Sequence, residues 1–139
     1  MKNIADIRSS CGDRAVLRAM HFYGDNARVE KQAAALKAGD FETFKKYIIE
    51  SGRSSYMYNQ NVYSCKKTSE QPVSLALSLS EKLLDGCGAW RVHGGGFAGT
   101  IQAFVPLNKL DEYKDLMEKV FGSGSCYILS VRPVGGVEL

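Results

Sequence analysis

The sequence predicts an α+β domain: helices gathered in the first half, then a β-loop-β-α-β run that forms a small, mostly antiparallel sheet with packed helices. Three observations carry that expectation. Apolar residues recur at helical spacing through the first half, and β-branched and aromatic residues flank a glycine run in the second. The composition, 45% hydrophobic and 24% charged, is that of a globular chain. The expected division is a helical part at about 1–86 and a β-rich part at about 87–139, within one domain.

From Asp13 to about Lys37, Val16, Met20, Tyr23, Ala27 and Ala34 return to one helical face. Gly24 and Asn26 weaken the middle, so one long helix and two shorter ones both remain open. Gly39 suits the position just past a helix end and Asp40 an N-cap, with Glu42 in the first turn that follows. Phe41, Phe44 and Ile48 then form the expected buried side of a second helix, antiparallel to the first because the turn is short.

Residues 52–67 are rich in Ser, Tyr and Asn without a clean period and read as irregular structure with at most a short helix. Val73, Leu75, Leu77 and Leu79 alternate with small residues as a strand would, but Leu83 and Leu84 prolong the run beyond a strand's usual length. Thr68 or Ser69 as N-cap, Pro72 in the first turn and Gly86 at the end favour a largely buried helix. Ala89 to His93 reads as a strand, Gly94 to Gly99 as a turn and Thr100 to Val105 as a second strand ended by Pro106. Asn108 is the expected cap of a helix with Leu110, Tyr113, Met117 and Val120 on one face and Gly122 as its stop. Tyr127, Leu129 and Val131 alternate with Ile128, Ser130 and Arg132 as a last strand before Pro133.

Several function classes are disfavoured. Eighteen basic against 15 acidic residues give a net charge of +3 that is spread along the chain, whereas a sequence-independent nucleic-acid binder gathers its cations into a stripe. No apolar run is long enough to span a membrane, and Lys2, Asp6 and Arg8 stand where a signal peptide needs apolar residues, so the expected location is the cytoplasm. Cys11, Cys65, Cys87 and Cys126 form no C-x-x-C pair, which reads as free, buried thiols with no metal site.

The densest chemical signal is Arg91-Val92-His93-Gly94-Gly95-Gly96-Phe97-Ala98-Gly99. Gly94, Gly96 and Gly99 match the dinucleotide fingerprint literally, but that motif opens a helix and here a strand follows. No Gly-Lys-Ser/Thr makes it a Walker loop. A run of glycines permits positive φ and close approach, and it can aim several N–H groups at an anion. A tight hairpin turn with no ligand is the competing reading. His93 reads as a strand-end cap or a phosphate contact, and Arg91 as an ion-pair anchor or a substrate contact. His21, inside the first long helix, has no partner at metal spacing. Ser51-Gly52-Arg53-Ser54-Ser55 looks like a phosphate loop yet lacks a preceding strand, which favours a solvated helix end. Asp25, Asp40, Asp85 and Asp111 read as caps and turns, and no catalytic constellation follows from spacing.

The glycine segment resembles the third motif of the GHMP kinases in its galactokinase form, where an Arg, two variable residues and a Gly-rich run precede a strand. Asp25-Asn26-Ala27-Arg28 is similar to the family's acidic/Asn-Asn-x-Arg helix, and Ala35-Leu36-Lys37-Ala38-Gly39-Asp40 to its A-L-x-x-G-D turn. Glu50-Ser51 resembles its helix end, and Tyr63-Ser64-Cys65 the stretch beyond. Order and spacing agree as well as residue types.

The resemblance implies the carboxy-terminal portion of a sugar kinase that moves the γ-phosphate of ATP to the anomeric hydroxyl of galactose. It implies a ferredoxin-like arrangement, ATP and Mg²⁺ as cofactors of the complete protein, and none bound tightly by this chain alone. Gly94, Gly95, Gly96, Phe97, Ala98 and Gly99 would wall the cleft near the nucleotide phosphates and sugar, supported by Arg91 and His93. The family's first two motifs and its catalytic aspartate and arginine have no counterpart here. The implied partner is an N-terminal kinase half, and this chain alone is expected to be inactive. Departures from the family are Ala98 for glycine, His93 for threonine, Trp90 for a small residue and Gly52 for histidine, and they bear on the sugar more than on the fold. The competing function is a free-standing, non-catalytic module that binds a small anion or a protein partner through the loop. The kinase reading is distinguished by an exposed apolar surface larger than a monomer usually shows.

Overall fold

In the computed structural model, which describes residues 3–97 and 99–131, a short helix α1 (Ile4–Cys11) turns at Gly12 into α2 (Asp13–Lys37). Nothing in the pattern of the first residues signals α1. Helix α2 is continuous through Gly24 and Asn26, because α3 (Phe41–Ser54) packs along it and supplies the stability those residues withhold. The α2–α3 turn follows the expected punctuation. Gly39 adopts φ +69°, its N–H donates to Leu36 O and that of Asp40 to Ala35 O, at 3.1 and 2.9 Å, so the last carbonyls of α2 are satisfied. The Asp40 carboxylate then accepts from Thr43 N at 3.0 Å and caps α3. The antiparallel arrangement is visible in the contacts: Gln32 reaches Tyr47, Asp25 reaches Ser51 and His21 reaches Ser54.

Helix α3 runs into a turn of π-helix at Ser55–Asn59, which ends where Gln60 takes the left-handed conformation, φ 54°. After an irregular stretch, α4 (Pro72–Leu84) begins with proline in its first turn. The alternating apolar run is therefore helical. Its N-cap is Gln71 rather than Thr68 or Ser69, and Leu75 is exposed, so α4 is less buried than expected.

Strands β1 (Ala89–Val92) and β2 (Ile101–Phe104) form an antiparallel pair with Ala89 opposite Phe104 and Val92 opposite Ile101. A 3₁₀ turn at Leu107–Lys109 leads into α5 (Leu110–Phe121), so Asn108 lies inside that turn and is not the cap. The structure is thus α+β, with a two-stranded antiparallel sheet among the described residues.

Leu84, Trp90, Tyr113 and Met117 form one apolar cluster where α4, β1 and α5 meet. Burial of side chains of this size contributes roughly 1.5–3 kcal/mol each. Val62, Val73 and Val92 form a second cluster beneath the glycine loop's strand.

Three expectations fail, each for a physical reason. The apolar face of α2 is not the buried one: Met20, Tyr23, Ala27 and Ala34 face outward, while His21, Asp25, Arg28 and Gln32 turn toward α3. Hydrogen bonding across the interface takes the place of apolar burial there. Phe41 is exposed, because the capped turn leaves it at the rim of α3. The last strand does not form. Tyr127, Leu129 and Val131 are 81%, 88% and 93% exposed, and among the described residues no strand lies beside them to take their backbone hydrogen bonds. Arg132 and Pro133 lie outside the described residues.

Candidate functional site: the glycine loop and its supports

The β1–β2 hairpin carries the glycine run at its tip. His93 N–H donates to Thr100 O and Gly99 N–H to Gly96 O, both at 3.0 Å, which closes the loop at two levels. Gly94, Gly96 and Gly99 adopt φ of +62°, +99° and +81°, conformations that L side chains rarely take, so the glycines are required by the backbone path. Gly94, Gly95 and Phe97 are exposed, and among the described residues their N–H groups make no backbone hydrogen bond. Such donors in a glycine turn can bind an anion. His93 is exposed at the loop's base, where its backbone N–H closes the hairpin. Ala98 lies outside the described residues.

The irregular segment after the π-turn supports the loop from below. Asn61 is 7% exposed, and its Nδ2 donates to Gly95 O. A Cβ on Gly96 would stand 2.7 Å from Asn61 Cγ and 2.8 Å from Nδ2, so this glycine is also a point of close approach. Among the described residues Asn61 Oδ1 is buried without a partner.

A polar network anchors β1. Ser51 Oγ donates to Asp25 Oδ1 at 2.6 Å, and Arg28 Nη1 donates to the same oxygen at 2.8 Å. His21 Nδ1 pairs with Ser54 Oγ at 3.0 Å, and its Nε2 lies 4.0 Å from Asp25 Oδ2. Gly52 brings α3 against β1: a Cβ there would lie 3.0 Å from Arg91 Cβ and 3.1 Å from Trp90 O. Burial opposes ionisation of Asp25, but the Ser51 hydrogen bond, the Arg91 charge and Arg28 outweigh it and hold the carboxyl below its ordinary range. Burial lowers the His21 pKa, Asp25 opposes this, and Arg28 and Arg91 reinforce it.

Several side chains therefore differ from their sequence reading. Asp25 is neither cap nor turn but the centre of an interhelical network. Ser51, Ser54 and Ser55 are buried, so the 51–55 segment is not a solvated helix end. Arg91 is half-buried, its Nε donating to Val92 O at 3.2 Å while its charge acts on Asp25 and His21. The thiols are free as expected, but Cys11 and Cys65 are exposed and the other two only half-buried. Asn61 went unnoticed in the sequence because it stands in a stretch without period. Among the described residues no group of three or more His, Cys, Asp or Glu gathers at metal-binding distance, and no helix is long and apolar enough to cross a membrane.

Comparison with known proteins adds a sequence relationship. The chain is 28% identical over 109 residues to a galactokinase of Limosilactobacillus reuteri, covering 78% of this chain and 26% of that protein. It is 28% identical over 122 residues to the galactokinase of Homo sapiens, covering 88% of this chain and 29% of the relative, and equally identical to that of Bos taurus. No protein-family model matches the chain, and no solved structure matches it significantly. The chain thus spans less than a third of the length of these relatives, and the matches fit a galactokinase-like fragment covering a carboxy-terminal part of such a protein.

Proposed function

We propose that this chain, helical over about 1–86 and β-rich beyond, is the carboxy-terminal portion of a cytoplasmic, ATP-dependent galactokinase-like kinase of the GHMP family. The observation that carries the reading is the glycine loop, which sits on a hairpin with exposed N–H donors in a sequence similar to galactokinases. In the complete protein the γ-phosphoryl group of ATP would pass to the anomeric oxygen of galactose or a related sugar, which would give up its proton as ADP leaves. Mg²⁺ and ATP supply the transferring group and its charge balance. This chain's part is positioning: the N–H groups of Gly94, Gly95 and Phe97 would donate to phosphate oxygens and wall the cleft, with Arg91 and His93 holding the loop's base. The ferredoxin-like arrangement belongs to the same reading.

The apolar surface agrees with a chain that docks against a larger partner. Met20 and Tyr23 on α2, with Phe22 edge-on to Tyr23 at 5.4 Å, are exposed alongside Val29 and Leu36, and Tyr127, Leu129 and Val131 are nearly bare. A module that binds only a small anion has no use for that surface, whereas one that binds a protein partner does. The purified chain alone should release no ADP from ATP and galactose. A chimera carrying it in place of the matching segment of the Limosilactobacillus reuteri galactokinase should do so. Turnover by the chain alone overturns the division of labour, and a folded chimera without galactose-dependent ADP release overturns the kinase reading.

A further inference from the structure

We propose that Asn61 is the positioning residue of the glycine loop, its side-chain amide setting the path of Gly95 and Gly96 so that the loop's exposed N–H groups form a preset array. Its bearing on phosphate binding rests on the kinase reading above, whereas the positioning itself does not.

A loop of consecutive glycines is the most conformationally free segment a chain can contain, and fixing each residue costs about 1–2 kcal/mol of backbone entropy. The hairpin hydrogen bonds at His93 and Gly99 hold the base of the loop and its far side, but neither one fixes Gly95. Asn61 does: its Nδ2 donates to Gly95 O, and its backbone carbonyl and side-chain amide together fill the space that a Cβ on Gly96 would take. The π-turn at Ser55–Asn59 and the left-handed Gln60 aim it there, because they swing the chain out of the α3 axis directly before Asn61. Val62, the next residue, is buried against Val73 and Val92, so the amide is held on a packed anchor. With the Gly95 carbonyl turned toward Asn61, the N–H groups of Gly94, Gly95 and Phe97 have no competing backbone acceptor among the described residues.

The test reads the Gly95 carbonyl by ¹³C NMR and the Gly99 amide by hydrogen exchange in the 139-residue chain. In Asn61→Ala the Gly95 carbonyl resonance should move upfield, and Gly99 should exchange roughly tenfold faster, the loss of about one hydrogen bond. The β1–β2 ladder amides should stay within about twofold, since local opening spares the ladder. Asn61→Asp supplies a signature that a space-filling role does not: an ionised carboxylate repels the Gly95 carbonyl, while a protonated one donates to it. That variant should show the Asn61→Ala signature near pH 7 and recover the wild-type carbonyl resonance on acidification through its own titration, which burial moves above about 3.9. Because the comparison is internal to one folded sample, it stands even if Asn61→Ala does not fold. An unchanged Gly95 carbonyl in Asn61→Asp across that titration overturns the proposal. A folded chimera that fails to release ADP in the presence of galactose bears on the kinase reading alone.

Discussion

Ser51 and Asp25 meet across the α2–α3 interface with 2.6 Å between hydroxyl and carboxylate, and Ser51 is fully buried there. The contact explains why a 25-residue helix tolerates a polar inner face. Removing the donor from a charged acceptor costs about 1.5–3 kcal/mol, so Ser51→Ala should lower the urea midpoint of unfolding accordingly. Asp25→Ala should cost at least as much, because Arg28 and Arg91 lose their counter-charge; a loss below about 0.5 kcal/mol in either variant contradicts the account.

The same network makes stability pH-dependent in one direction. His21 has a folded pKa below its ordinary 6.5, so the unfolded chain binds its proton more readily and stability is lost as pH falls from 6.5 through the folded value. Asp25 and Asp40 are both held below 3.8, which adds a second decline as pH falls from 3.8 through their folded values. The urea midpoint should be level around neutrality and fall in both acidic windows. His21→Gln should remove the upper decline and leave the lower one.

Ser80 and Tyr113 share a buried hydrogen bond of 2.8 Å between α4 and α5, and Ser80 Oγ also lies 2.8 Å from Ala76 O. Because that second partner remains, Tyr113→Phe should cost only about 1 kcal/mol. Burial raises the Tyr113 pKa above 10.0, opposed by the Ser80 hydrogen bond, so stability should fall as pH rises beyond 10.0 in the wild type. Burial and the Glu118 charge raise the Cys126 thiol above 9.0 and give a decline of its own, so Tyr113→Phe should lose only the part that begins at 10.0, as read by chemical denaturation.

Gly88 lies where α4 meets the first strand. A Cβ there would stand 2.6 Å from Phe104 O and 3.0 Å from Leu84 Cβ, both fixed parts of the core. Gly88→Ala should therefore destabilise by about 1–3 kcal/mol through overpacking, seen as a lower thermal midpoint. Gly95→Ala, with open space at its Cβ, should change the midpoint far less.

Helices α2 to α5 were legible because their signals are local. Gly39-Asp40, Pro72 and Gly122 punctuate helix ends through their own backbone and side-chain chemistry. The hairpin was legible too, since β-branched and aromatic residues flank a glycine run that adopts positive φ at three of its positions. The final strand was misread because alternation shows only that a segment suits a sheet, while a strand exists where a neighbour takes its hydrogen bonds. Tyr127 to Val131 have no such neighbour among the described residues.

The candidate site divides along the same line. Residue order alone established the glycine loop and its likeness to galactokinases, since both are properties of contiguous residues. Which side of α2 is buried depended on the opposing helix: Ser51 and Ser54 offer hydrogen bonds, so His21, Asp25 and Arg28 turn inward and the apolar stripe faces out. Asn61 became part of the site only when the chain brought it 34 residues across to Gly95, a pairing that no local period encodes. Contacts between residues far apart in sequence are settled by the packed fold, because only there does satisfying a buried polar group compete with burying an apolar one.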